Sequence, residues 1–312
     1  MRIVIMGAGG TGGYYGALLA KQGHEITLIA RGSHLQAIQK KGLQVKSVFG
    51  DITVSPFSAT DDPSNLAPPA LILFCTKTYD TDEAVQKIKP IVGKETTLLS
   101  LQNGIDAVER IGKVVGMEHM IAGATWISSA VEAPGVIKQV SDFRRVVLGE
   151  LDGRVTARIQ AIFDVFKDTG ITVELSDNIL KILWTKFIFI SAASSFGSLT
   201  RLPIGEYRSV PEMRALIVRL MREVEALAYD QGVTLDADVV DKSLTFMDNT
   251  ASHIKASMQL DVEAGRRTEI ESMIGVIVRK GQERGIPTPT ADLVYAVLLP
   301  VELKARKNHS SL

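Results

Sequence analysis

The sequence has a single cysteine and no excess of charge of either sign among its 312 residues. One thiol, Cys75, excludes an internal disulfide, and without a CxxC or Cys/His cluster nothing in the pattern indicates a metal site. Because 35 basic residues balance 35 acidic ones, no global field attracts nucleic acid or an anionic membrane surface. We therefore expect no metal, nucleic acid or membrane partner, and a reducing cytoplasm as the location.

The sequence also lacks a continuous apolar run long enough to cross a membrane. Its most apolar stretch, "ILWTKFIFISAASSFGSL", is interrupted by Lys186 and several serines, which predicts a buried helix. The apolar start is only as long as a strand, so no signal peptide is expected. A hydrophobic content of 46% is ordinary for a globular protein, and the length allows two domains.

What the sequence does contain is a glycine cluster between a strand-like run and a helical one, "RIVIMGAGGTGGYYGALLAKQG". The cluster matches G-x-G-x-x-G with Gly7, Gly9 and Gly12, followed by a second strand pattern, "EITLIA". In this pattern the glycines allow a tight turn, close approach of a pyrophosphate and close helix packing, respectively. A glycine-rich surface turn is the alternative. The context favours a dinucleotide site over residues Gly7, Ala8, Gly9, Gly10, Thr11 and Gly12.

Arg31 stands at the end of the second predicted strand, where NAD-binding versions usually carry an acid that accepts hydrogen bonds from the ribose hydroxyls. A guanidinium cannot accept such bonds, but it can pair with a 2′-phosphate. The alternative is an arginine in a solvated loop. The sequence therefore predicts NADP(H) as the cofactor in preference to NAD(H).

The two halves of the chain differ in their periodicity. Residues 1–175 alternate short apolar runs with helical segments, which is typical of a parallel sheet covered by helices, and "GLQVKSVFGDITVS" adds a hairpin or edge pair. Residues 176–312 show helical periodicity broken by Gly, Pro or Asn/Asp clusters, with a tail, "KNHSSL", that we expect to fray. The predicted fold class is α/β: a Rossmann-type dinucleotide-binding domain over 1–175, then an all-helical substrate and catalytic domain over 176–312.

Lys186 is the strongest candidate for chemistry, because large apolar residues surround it on the predicted helix. A desolvated lysine has a lowered pKa and can donate a proton to a carbonyl oxygen while hydride reaches the carbon. It would also stabilise the developing alkoxide. A lysine that extends along apolar surface to reach solvent is the alternative.

Four further residues have open alternatives. Glu269 begins a helical pattern, where a carboxylate is favoured by the helix dipole alone, and Ser257 is equally ambiguous. Lys77 and Asn103 each follow a predicted sheet strand, on the side where ligands bind in open α/β sheets. Asn103 precedes a glycine, however, and Asn-Gly is mainly a turn signal.

Taken together, the motifs resemble the 2-dehydropantoate 2-reductases, also called ketopantoate reductases. The resemblance covers nearly the whole chain and rests on "GAGGTGG", "CTKTYDT", "LQNGI", "APGVI", "LWTKFIF" and "SMQLDVEAGRRTEIE". The last two are much more specific than the glycine motif. The resemblance implies reduction of 2-dehydropantoate to pantoate by NADPH, on the route to pantothenate and coenzyme A.

The resemblance also implies a role for individual residues. Lys186 matches the proton donor, Glu269 a residue that binds cofactor and orders the site, and Ser257 the serine that holds the substrate carboxylate. Arg31 matches the arginine that binds the 2′-phosphate. The counterparts of Lys77, Asn103 and Ala130 contact cofactor or line the cleft. We further expect a small 2-oxo acid as substrate and a homodimer as a possible assembly.

The sequence departs from the family pattern one and two turns after the catalytic lysine. Family members commonly carry asparagines there, and this chain has Ile190 and Ser194. Ser194 can still donate a hydrogen bond to substrate, whereas Ile190 cannot, so the identity of the 2-oxo acid is open. A paralogue that reduces another branched or bulky 2-oxo acid is one alternative. A protein that senses NADPH without turnover is another, which the retained Lys186 and Glu269 disfavour.

Overall fold

The computed structural model describes residues 1–55 and 58–309. The chain folds into two compact units, one formed by Met1–Gln102 with Ala107–Ile179 and the other by Asn103–Asp106 with the chain from Leu180 onward. The first is a mixed α/β unit and the second is helical, which confirms the predicted fold class. The assignment of 1–175 to cofactor and 176–312 to substrate stays a prediction.

The described residues of the first unit form twelve strands and five α-helices. The strands are β1 (Arg2–Met6), β2 (Glu25–Ile29), β3 (Leu43–Ser47), β4 (Ile52–Val54), β5 (Ser58–Thr60), β6 (Leu71–Phe74), β7 (Thr97–Ser100), β8 (Met120–Trp126), β9 (Ser129–Ala133), β10 (Val136–Gln139), β11 (Arg145–Gly149) and β12 (Thr172–Leu175). The helices among the described residues of this unit are α1 (Gly10–Lys21), α2 (Gly32–Lys41), α3 (Thr81–Ile88), α4 (Ala107–Val115) and α5 (Ala157–Lys167).

Eight strands form the main sheet, in the order β12-β11-β8-β7-β6-β1-β2-β5. The strands from β8 to β5 in this order run parallel, as the alternating pattern predicts, and their apolar runs are buried. β11 is antiparallel to β8, so the expectation of a parallel sheet is wrong at this edge. The strand order reverses between β1 and β6, which is the position where open α/β sheets bind ligands.

A second, four-stranded sheet has the order β4-β3-β10-β9. The expected hairpin is confirmed as the antiparallel pair β3–β4, and β9–β10 form another hairpin around Gly135. The two hairpins join through parallel pairing of β3 with β10, across about ninety residues of sequence. This small sheet contacts α1 through β3, β4, β9 and β10, and Ile137 of β10 packs against Gly13.

The second unit is built from α-helices and one π-helical turn, Glu271–Gly275. Its helices are α6 (Ile179–Thr200), α7 (Ile204–Tyr207), α8 (Pro211–Asp230), α9 (Val239–Asn249), α10 (Ser257–Glu263), α11 (Val276–Arg284) and α12 (Pro289–His309). Helix α8 packs against α9, α11 and α12. Helix α12 includes residues 307–309, which we expected to fray, and the end of that tail lies outside the described residues.

Helix α6 lies in the core of the second unit. Within the described chain it is the one helix whose length and mean hydropathy of 1.4 would suffice to cross a membrane. Its large apolar residues Trp184, Phe187 and Phe196 are buried in a cluster with residues of the other helices. The prediction of a buried helix is therefore confirmed, and burial in this protein explains its apolar composition.

Candidate functional site

The glycine loop between β1 and α1 has the geometry that its three motif glycines predict. Gly7 has φ +100°, and a Cβ there would lie 2.7 Å from the Thr76 nitrogen, so only glycine fits this turn. A Cβ on Gly12 would overlap the Gly7 carbonyl oxygen and lie 2.9 Å from Ile5 Cγ2. Gly7 and Gly12 thus allow the loop to turn sharply and α1 to pack closely against β1.

Gly9 differs from its neighbours, because a Cβ there would meet no protein atom within 4 Å. It precedes α1, whose first turn, Gly10–Gly12, has N–H groups without intrahelical acceptors and no acidic residue. These N–H groups and the open space beside Gly9 fit the pyrophosphate of a dinucleotide. On the other side, a Cβ on Gly10 would lie 2.8 Å from the nitrogen of Ala130 in β9.

Two polar side chains that the sequence analysis missed hold the backbone here: His34 bonds to the glycine loop itself, and Gln102 bonds to the segment after β6 that packs against Gly7. His34 donates from Nε2 to the Ala8 carbonyl at 2.9 Å and accepts at Nδ1 from the Gly135 N–H at 3.0 Å, and burial lowers its pKa. The buried Gln102 donates from Nε2 to the Thr76 carbonyl at 3.0 Å and to Thr81 Oγ1 at 2.9 Å. The signal for Gln102 was its place beside Asn103 in "LQNG"; nothing local distinguished His34.

A cavity beside the loop is lined by charged residues. Arg31, after the end of β2, is among its lining residues and donates from Nη2 to Asp80 Oδ2 at 2.6 Å. Asp80 belongs to a short 3-10 turn after β6 that begins next to Lys77, which is itself absent from the cavity lining. The lining residues are Met6, Gly7, Ile29, Arg31, Asp61, Thr76, Asp80, Glu83, Ala84 and Lys87.

In the helical unit, Lys186 of α6 donates from Nζ to Asn103 Oδ1 at 3.0 Å. The lysine side chain is partly exposed, yet desolvation of its ammonium lowers its pKa to about 8, an effect that the charge of Glu269 partly offsets. Asn103 belongs to the helical unit although it follows β7 in sequence. The structure therefore brings together three residues that the sequence analysis selected separately.

Hydrogen bonds fix the backbone on both sides of Glu269. Its neighbour Thr268 donates from both N–H and Oγ1 to Glu302 Oε2, each at 2.7 Å, and Glu302 is only 1% exposed. Its own carbonyl accepts from the N–H groups of Ser272 and Met273 as the π-helical turn begins. Such turns occur frequently at functional sites.

A cavity of about 140 Å³ lies within the helical unit. Four predicted site residues line it, namely Asn103, Ser194, Ser257 and Glu269, together with Ile190. Lys186 is absent from the lining and touches it through Asn103. The remaining lining residues are apolar: Phe189, Ala193, Ile204, Ile254, Ala256, Met258 and Met273.

The glycine loop at the switch point of a Rossmann-type sheet, and a lysine of lowered pKa in the helical unit, define the class of protein as a dinucleotide-binding oxidoreductase. Within that class, the family "Ketopantoate reductase PanE/ApbA" matches residues 3–153, and "Ketopantoate reductase PanE/ApbA C terminal" matches residues 178–302. The chain belongs to this family of oxidoreductases, which act on small keto acids, and the predicted resemblance is confirmed.

Relatives and solved structures resemble the chain over nearly its full length. The 2-dehydropantoate 2-reductase of Pyrococcus horikoshii is 30% identical over 96% of both chains. The structure of a PanE/ApbA family ketopantoate reductase from Ralstonia eutropha matches with a TM-score of 0.90 and 32% identity, over 98% of this chain and 100% of that one. A ternary structure of D-mandelate dehydrogenase with NADH and anilino(oxo)acetate matches with a TM-score of 0.89 and 25% identity, over 98% and 99%.

The open space beside Gly9 makes a testable prediction. Gly9→Ala should leave the free energy of unfolding nearly unchanged, because the residue has φ −71° and a Cβ meets no protein atom. It should weaken dinucleotide binding on the order of tenfold or more, because the methyl group takes the place of the pyrophosphate. Titration of nucleotide fluorescence and denaturant unfolding measure the two effects.

The matched control is Gly12→Ala, whose methyl group would overlap the Gly7 carbonyl. This variant should lose about 1–3 kcal/mol of unfolding free energy through overpacking. Wild-type nucleotide affinity in Gly9→Ala would show that the pyrophosphate does not approach this loop.

Proposed function

We propose that the protein reduces 2-dehydropantoate (ketopantoate) to pantoate with NADPH, and that Lys186 donates the proton. The observation that carries the proposal is the Lys186 ammonium, whose pKa is lowered to about 8 and which bonds to Asn103 at the edge of a cavity. The similarity to the 2-dehydropantoate 2-reductase of Pyrococcus horikoshii supports this choice of substrate.

When bound, the reduced nicotinamide supplies a hydride to the carbonyl carbon of the substrate. Lys186 donates its proton to the carbonyl oxygen, and its charge stabilises the alkoxide that develops there. An acid of pKa about 8 is protonated at neutral pH and still transfers its proton readily. Asn103 orients the ammonium through its 3.0 Å hydrogen bond, and the Glu269 carboxylate helps to keep it charged.

The other predicted residues have roles in binding. Ser257 and Ser194 line the helical cavity and can donate hydrogen bonds to the substrate carboxylate and hydroxyl. The glycine loop, Arg31, Lys77 and Ala130 would hold the cofactor, with Arg31 on the 2′-phosphate. The cytoplasmic location and the homodimer stay predictions.

A second candidate substrate is a 2-oxo acid with a bulky apolar side chain. The helical cavity favours it, because eight of the twelve lining residues are apolar and Ile190 is among them. The D-mandelate dehydrogenase structure that resembles this chain holds anilino(oxo)acetate, an oxo acid with an aromatic substituent. Both candidates require the same proton donor and differ only in the group that enters the apolar part of the cavity.

Steady-state assays of NADPH consumption test the function directly. The substrates to compare are ketopantoate, 3,3-dimethyl-2-oxobutanoate, which lacks its hydroxyl, and phenylglyoxylate, which is aromatic. Highest kcat/KM with ketopantoate supports the first proposal, and highest kcat/KM with phenylglyoxylate supports the second. No turnover of any of the three would contradict both, and higher kcat/KM for NADH than for NADPH would contradict the choice of cofactor.

Replacement of Lys186 tests the proton donor. Lys186→Ala should lower turnover on the order of 10²–10⁴-fold while nucleotide binding survives, because only the proton transfer is lost. In the unmodified enzyme kcat/KM for reduction should be constant below pH 8 and fall above it, because the donor must be protonated. Stopped-flow and steady-state rates across pH 6–10 measure both effects.

Glu269→Gln tests the direction in which Glu269 shifts the pKa of Lys186. The Glu269 charge raises the pKa of Lys186, so its removal should move the fall in kcat/KM to lower pH. Near-normal turnover in Lys186→Ala would show that Lys186 has a structural role only. A pH profile that Glu269→Gln leaves unchanged would contradict the assignment of this fall to Lys186 beside the Glu269 charge.

Replacement of Ile190 tests whether this residue contacts the side chain of the substrate. It lies one helical turn beyond Lys186 on α6 and lines the cavity, so Ile190→Asn offers the substrate hydroxyl a partner. One neutral hydrogen bond is worth about 0.5–1.5 kcal/mol, so the kcat/KM ratio of ketopantoate to 3,3-dimethyl-2-oxobutanoate should rise roughly 2- to 10-fold. The control, Ile190→Leu, should leave the ratio in place, and an equal change for both substrates in Ile190→Asn would contradict the contact.

A further inference from the structure

The cavity at the end of β2 is lined by two cations and three carboxylates. Its charged lining residues are Arg31, Lys87, Asp61, Asp80 and Glu83. Arg31 lies 2.6 Å from Asp80 and 3.8 Å from Glu83, and Lys87 lies 3.0 Å from Glu83. Each cation that could bind a phosphate is therefore already paired with a carboxylate of the same cavity.

These carboxylates weaken the preference for NADP(H) that Arg31 alone predicts. A 2′-phosphate carries close to two negative charges at neutral pH and would enter beside three carboxylates. Arg31 bonds to Asp80 through Nη2, so a phosphate either takes that donor from Asp80 or uses the remaining N–H groups and then lies beside the Asp80 carboxylate. Asp80 itself is an acceptor of the kind that binds the ribose hydroxyls of NADH, although it comes from the turn after β6 and not from the end of β2.

We propose that Asp80 limits the preference of this enzyme for NADPH over NADH, by holding the Arg31 guanidinium and by placing a carboxylate where the 2′-phosphate binds. The inference rests on the proposed nucleotide site. The cavity can then bind either a ribose hydroxyl or a ribose phosphate. Arg31 attracts the phosphate, and the Asp80 carboxylate repels it. We therefore expect this enzyme to bind NADH as well as NADPH, although arginine stands at the end of its second strand.

The neighbouring Asp82 makes a close control. It lies in the first turn of α3, two residues after Asp80, which precedes that helix, and it pairs with Arg110 at 3.0 Å outside the cavity lining. Asp82→Asn removes the same charge from the same helix terminus, so any general electrostatic effect on a polyanionic cofactor appears in both variants. A difference between the two variants isolates the local contact with Arg31.

The experiment measures dissociation constants of NADPH and NADH for the full-length protein at fixed ionic strength. Asp80→Asn should raise the ratio of NADPH to NADH affinity about tenfold, mainly through tighter NADPH binding, and Asp82→Asn should change the ratio less than about twofold. In an Arg31→Ala background the gain from Asp80→Asn should shrink, because the guanidinium that it releases is gone.

The outcomes separate the inference from the proposed function. An unchanged ratio in Asp80→Asn, or an equal rise in Asp82→Asn, overturns the inference while the nucleotide site stands. The full tenfold gain in the Arg31→Ala background overturns the part that acts through Arg31. Failure of the unmodified protein to bind either nucleotide would instead overturn the proposed function.

Discussion

The desolvation of one ammonium group, that of Lys186, sets the main constraint on the helical unit. A pKa lowered from 10.5 to about 8 corresponds to about 3 kcal/mol against the charged form. The fold sustains this cost because α6 is anchored on both sides of the lysine by buried aromatic residues, Trp184 and Phe187. The negative charge of Glu269 favours the protonated form of Lys186, and the hydrogen bond to Asn103 orients the ammonium group. The helix that carries Lys186 is therefore also a core helix of this unit, and burial of its aromatic residues offsets the free-energy cost of desolvating the ammonium.

How much of this could be predicted from the sequence depends on the range of each interaction. The glycine loop and the α6 lysine are local patterns, and both have the geometry that the patterns predict. The pairing of β3 with β10 joins two hairpins that lie far apart in the chain, and no local periodicity encodes it. The sequence selects Asn103 as a candidate, but its place in the helical unit follows from packing that the Asn-Gly signal does not contain.

The Arg31–Asp80 pair shows the same limit within the cavity at the end of β2. The sequence pattern identifies the residue at the end of β2, because the motif fixes that position. The carboxylate that opposes it arrives from a turn 49 residues later, brought there by the parallel pairing of β1 with β6. The charge around Arg31 thus depends on two strand ends together, and the motif position alone does not predict it.

Helix α6 separates chemistry from specificity along one face. Lys186, Ile190 and Ser194 recur at four-residue spacing and therefore lie one above another, with the lysine at one end and two cavity-lining residues beyond it. A substitution at Ile190 or Ser194 changes the lining of the cavity, while the Lys186–Asn103 contact lies one or two turns away. Single changes on this face of the helix therefore alter the lining of the cavity without removing either residue of the Lys186–Asn103 contact.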